Sequence, residues 1–115
     1  MQKETRIKIK VLARLRSYNP KVWYTKVQQK SKRGDPDILM CVNGIFVAWE
    51  LKTTTGKLSK LQLHALRQVS LAGGVARVVN PENIDKAFEE LEWIIKNVNI
   101  ERKAALPSQS ITLPA

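Results

Sequence analysis

Residues 34–52 run Gly-Asp-Pro-Asp-Ile-Leu-Met-Cys-Val-Asn-Gly-Ile-Phe-Val-Ala-Trp-Glu-Leu-Lys, and the turn inside them sets the architecture of the chain. Two apolar runs, Ile38 to Val42 and Ile45 to Leu51, are separated by Asn43-Gly44. That dipeptide suits a type I′ turn, in which both central residues need positive φ, so the segment is predicted to be a β-hairpin. With two loop residues, Val42 pairs with Ile45, and counting outward brings Asp37 opposite Glu50. The count makes this a non-hydrogen-bonded pair, with Cα atoms about 4.5 Å apart and both side chains on one face. Lys52 shares that face because side chains alternate along a strand. A bulge of one residue would break the register.

Upstream, Glu4 to about Ser17 has a helical stripe of Ile7, Val11, Leu12 and Leu15, ended by Tyr18-Asn19-Pro20. On a helical wheel Glu4 lies within roughly 60° of Ile7, Val11 and Leu15, so its carboxylate is expected to point inward; the alternative is that it only favours the helix dipole. Val22 to Gln28 is expected to be a strand, and the basic stretch Gln29 to Gly34 a loop.

Downstream, Thr53 to Lys57 is a polar loop, and Ser59-Lys60-Leu61-Gln62 has the form of a capping box opening a helix that runs to about Ala72, before Gly73-Gly74. Gln62 lies with Ala65, Leu66 and Val69 on the inward face, at the end nearest the Lys52 loop, so it is placed either to bond back to Ser59 or to reach the site formed by the strand-end carboxylates and Lys52. Val75 to Val79 has the apolar character of a strand buried on both faces, which argues for a sheet covered by helices. After Asn80-Pro81-Glu82, a last helix carries the stripe Ile84, Ala87, Phe88, Leu91, Ile95 and Val98. The expected organisation is one domain over residues 1–102 and a tail over 103–115. Trp23, Tyr24, Cys41 and Trp49 are expected in the core, and His64 on the exposed side of its helix.

The formal charge is +10 over 115 residues, which favours a polyanionic partner. The excess lies in residues 1–80, which hold sixteen Lys and Arg against only Glu4, Asp35, Asp37 and Glu50. A surface that attracts phosphates loses affinity with every carboxylate it keeps, so those retained there need a use such as holding a cation. One cysteine excludes an intrachain disulfide and a cysteine-based zinc site. No apolar stretch reaches the roughly 18 residues that span a bilayer, and the N-terminus is too charged for a signal peptide. The expectation is a cytoplasmic protein without a membrane partner.

Two directly opposed carboxylates repel and raise at least one carboxyl pKa, so Asp37 against Glu50 makes physical sense chiefly around a divalent cation. Their hard oxygens, the Leu51 backbone carbonyl and water would suit Mg²⁺. Phosphodiester hydrolysis needs an activated water and charge neutralisation, which such a site supplies. Lys52 would orient water or stabilise charge. Lys26, Lys30, Lys32 and Arg33 lead into the Asp37 strand, and Lys57 and Lys60 follow Lys52, so basic groups bracket the site as DNA-binding candidates. Nothing resembles a base-reading module, so contacts to backbone shape are expected.

Gly34-Asp35-Pro36-Asp37, the hairpin, Glu50-Leu51-Lys52, Gly56-Lys57-Leu58-Ser59 and Gln62 together resemble the PD-(D/E)XK nuclease superfamily, and within it the virus-type replication-repair nuclease (VRR-NUC) domain of stand-alone viral type, over about residues 4–79. The resemblance implies an α/β restriction-endonuclease-like core of helix, three strands, helix and strand, with a mixed sheet flanked by helices; the C-terminal helix is additional. It also implies Asp37 and Glu50 as ligands of Mg²⁺, for which Mn²⁺ would substitute, Lys52 as catalytic lysine, Gln62 as the helix glutamine near the site, and Glu4 as the first-helix acid. It implies a homodimer acting on branched DNA or Holliday junctions. Asp35 departs from the family, which commonly has an apolar residue there. The alternatives are a non-catalytic nucleic-acid-binding subunit that retains the fold, or a repair or restriction-type nuclease acting on duplex DNA.

Overall fold

A computed structural model describes residues 3–28 and 34–98. The elements are α1 (Lys3–Arg16), β1 (Val22–Lys26), β2 (Ile38–Val42), β3 (Ile45–Leu51), α2 (Lys60–Leu71), β4 (Val75–Val79) and α3 (Ile84–Asn97). The strands form one sheet in the order β1-β2-β3-β4. The first two pairings are antiparallel, and β3 with β4 is parallel. No helix among the described residues is long and apolar enough to cross a membrane.

The hairpin has the predicted register: Val42 pairs with Ile45, and the ladder continues without a bulge to Ile38 opposite Trp49. Asn43 (φ 51°) and Gly44 (φ 84°) both take positive φ, as a type I′ turn requires. The Asn43 side chain does a second job, because its Nδ2 donates to the carbonyl oxygens of Val98 (2.6 Å) and Ile94 (3.3 Å). It thereby partners the carbonyl of Val98, the C-cap residue of α3, and adds a second donor to Ile94, whose carbonyl already accepts the Val98 N–H at 3.0 Å.

The register divides the sheet into two faces. On one, Val22, Ile38, Met40, Val42, Val47, Trp49, Leu51 and Val79 are buried beneath α1 and α3. These helices contribute Ile7, Val11, Leu15, Ile84, Phe88 and Leu91 to the same cluster. Trp49 meets Phe88 edge to face at 5.2 Å between ring centroids, a geometry that suits the aromatic quadrupole. Arg14 Nη1 donates to Asp85 Oδ1 at 2.7 Å and ties α1 to α3.

On the other face α2 packs against β3 and β4. It starts as predicted, with Ser59 Oγ accepting from the Gln62 backbone N–H and Gln62 Oε1 accepting from the Ser59 N–H.

Several expectations give way to this layering. Trp23 is 64% exposed, and Cys41 and Phe46, its neighbours across the sheet, are exposed as well. For Trp23 and Cys41 the reason is that α2 packs on β3 and β4 and leaves the β1–β2 half of that face open. Tyr24 is half-buried and Trp49 fully buried. In β4 only Val79 is buried, because this strand forms the sheet edge. β1 ends at Lys26, although the Val27 N–H still donates to the Asp37 carbonyl at 2.8 Å. The tail expected at 103–115 lies outside the described residues.

Candidate functional site

The end of β3 lies against the first turn of α2, and Asp37, Glu50, Leu51, Lys52, Gln62, Glu4 and Lys8 line one polar cleft of about 230 Å³ there. Six of the seven were singled out from sequence. Asp37 stands one residue before β2, where Pro36 interrupts regular pairing. In place of a strand carbonyl, Asp37 Oδ2 accepts the Leu51 N–H at 2.8 Å. That bond fixes the carboxylate against the strand carrying Glu50. The Lys52 N–H donates to the Val79 carbonyl at 2.9 Å, so β4 holds the far side of the same strand end.

Glu50 is 2% exposed and is the buried charged residue of the domain among the described residues. Gln62 Nε2 donates to Glu50 Oε1 at 3.2 Å while Gln62 Oε1 remains in the capping box. The two roles that seemed to compete are both filled, because an amide carries a donor and an acceptor on separate atoms. The same side chain thus aligns the helix start and orients the buried carboxylate.

The Lys52 side chain is 14% exposed, and its Nζ lies 3.7 Å from Glu4 Oε1. Glu4 was expected to point inward; its side chain is 53% exposed, because it sits on the first turn of α1, beyond the end of the core. Lys8 also lines the cleft and was missed. The signal was present, since positions 4 and 8 share one side of a helix. Among the described residues no group of three or more His, Cys, Asp and Glu comes together to hold a metal ion. A cation there would rely on backbone and water oxygens beside the two strand carboxylates.

Asp35 is half-buried and is not among the residues lining the cleft. Gly34 (φ 90°) packs directly on α2: a Cβ there would stand 2.5 Å from the Leu61 carbonyl carbon and 2.8 Å from the Gln62 nitrogen. The loop entering β2 therefore seats the first turn of α2 by backbone contact. Lys26, Lys57 and Lys60 are exposed but do not line the cleft, and Lys30, Lys32 and Arg33 lie outside the described residues. His64 is exposed, as expected.

No family model and no curated protein matches this chain. A solved structure of a "VRR_NUC domain" does match, with a TM-score of 0.61 and 20% sequence identity, over 86% of this chain and 100% of that one. The architecture is thus the α/β, restriction-endonuclease-like fold of a VRR_NUC domain, with the element order expected from the sequence.

Proposed function

We propose that this protein is a metal-dependent endonuclease that hydrolyses phosphodiester bonds in DNA. The observation that carries this reading is the convergence of Asp37, Glu50, Lys52 and Gln62 on one cleft, in a fold shared with a VRR_NUC domain. The donor chemistry fits Mg²⁺, or Mn²⁺ in its place: hard carboxylate oxygens from Asp37 and Glu50, with the Leu51 carbonyl at the same strand end. Glu4, at the mouth, stands 3.7 Å from Lys52 Nζ and does not join the two strand carboxylates as a third ligand. When bound, such an ion supplies Lewis-acid polarisation of the phosphoryl group and a more acidic water.

The chain's own residues divide the remaining work. Asp37 is oriented by the Leu51 N–H and Glu50 by the Gln62 amide, so the two anionic groups are positioned before substrate arrives. Lys52 brings a cationic ammonium to the mouth, where it stabilises charge developing on the phosphoryl oxygens or orients the attacking water. Lys8 adds a second cation at the same opening. The wider excess of Lys and Arg in residues 1–80 attracts the backbone of DNA without reading bases.

The finer reading is a homodimer acting on branched DNA or Holliday junctions. One site makes one nick, so paired cuts across a junction need two copies related by a twofold axis. The test is incubation with supercoiled, linear and four-way-junction DNA, with Mg²⁺ or with EDTA. Metal-dependent cleavage that is lost in Glu50→Gln, with binding retained, is expected; normal cleavage by that variant removes the proposed site. Binding without cleavage by the unmodified protein would favour a non-catalytic subunit, and equal cutting of linear and junction DNA would remove the junction preference.

A further inference from the structure

A cavity larger than the cleft lies on the other flank of α1. It is a groove of about 600 Å³ between α1, the loop after β3 and the start of α3, within the size range of small-ligand sites. Its floor is apolar, made by the buried Ile7 and Ile84 with Pro81 and the half-exposed Ile9. Its rim carries Arg6 and Lys10, one helical turn apart, opposite Thr53 to Thr55. No acid is among the described residues that line it.

Groove and cleft are neighbours. Lys52 lines the cleft and the next residue, Thr53, lines the groove; Glu4 and Lys8 face the cleft while Arg6 and Lys10 face the groove. The first turns of α1 run between them, and a helix is about 10 Å across.

We propose that this groove binds one nucleotide unit of the strand engaged at the cleft, with the base on the isoleucine floor and a phosphate at Arg6 and Lys10. The inference rests on the nuclease reading for the identity of the strand. What selects a nucleotide is the combination of an apolar floor, threonine hydroxyl groups and two cations without a carboxylate. Apolar contact with the face of a base tolerates any sequence, since every base presents such a face, which agrees with recognition that does not read bases. Such a subsite needs a base that is unpaired, and branch points and strand ends supply one.

The test is fluorescence anisotropy in EDTA, where no cleavage occurs, with an end-labelled oligothymidylate of about 12 nucleotides and an abasic oligomer of the same length and phosphate count. The unmodified protein should bind the base-bearing oligomer about 10-fold more tightly, the effect of removing roughly 55 Å² of apolar surface from water. Ile9→Glu, at a half-exposed position that threatens neither core nor cleft, should bring the two affinities together. Arg6→Ala with Lys10→Ala should weaken both oligomers and lower the slope of log Kd against log salt by about 1.4, the value for two phosphate contacts on a single strand. Equal binding of the two oligomers by the unmodified protein, or an unchanged ratio in Ile9→Glu, would overturn the proposal. The outcome is separable from the nuclease reading: Glu50→Gln tests cleavage and should leave the ratio of the two affinities intact.

Discussion

Replacing Gly34 by alanine tests whether backbone contact seats α2 beside the strand acids. Gly34 and Gly44 have nearly the same left-handed φ, 90° and 84°, but a Cβ at Gly34 would meet three backbone atoms within 2.8 Å, whereas at Gly44 nothing lies within 4 Å. An L-residue forced into left-handed backbone costs about 1–2 kcal/mol, offset by up to about 1 kcal/mol because alanine restricts the unfolded chain. Those contributions are common to both sites. The steric one is not: backbone cannot rotate aside as a side chain can, and forced overpacking costs about 1–3 kcal/mol. Gly34→Ala should therefore be less stable than Gly44→Ala by about 1–3 kcal/mol. At this chain length that corresponds to roughly 4–12 °C in Tm. Urea or thermal unfolding of the two variants in parallel measures the difference. Equal stabilities would refute the contact. The same substitution displaces Gln62 from Glu50 if the proposed site is right, so cleavage should fall even at temperatures where the variant stays folded.

Gln62→Leu removes the capping bond and the bond to Glu50 together and should cost about 1–3 kcal/mol in urea unfolding. Gln62→Glu keeps the cap acceptor but sets a second carboxylate against Glu50, so the stability it loses near neutral pH should return as the pH falls. A loss independent of pH would count against the Gln62–Glu50 contact. Tyr18 is held above its ordinary value of 10.0 by burial first and then by its hydrogen bond to Glu92, 2.8 Å away. A raised value means that the native state holds the phenolic proton more tightly than the unfolded chain. This contribution is complete below the unfolded-state pKa and is lost as pH rises through the folded-state one. The stability difference between the unmodified protein and Tyr18→Phe should shrink above about pH 10, as Tm measured against pH will show; a constant difference would contradict the assignment.

Local chemistry wrote much of this molecule into the sequence. Asn43-Gly44 admits one tight turn, that turn sets one register, and the register brings Asp37 and Glu50 to the same strand end because side chains alternate with a period of two. Ser59 and Gln62 likewise announced the start of α2 through a contact only three residues long. Tertiary packing decided what lies across the chain. That Gln62 also reaches Glu50, that Asn43 closes the end of α3 fifty-five residues away, and that Gly34 must remain bare against Leu61 all depend on surfaces meeting after folding. The open β1–β2 face that leaves Trp23 and Cys41 in solvent follows from where α2 comes to rest, and no periodicity within a strand reports which half of a sheet a distant helix will cover. The groove beside α1 has the same origin, since its walls come from three separated segments whose residues carry no common motif.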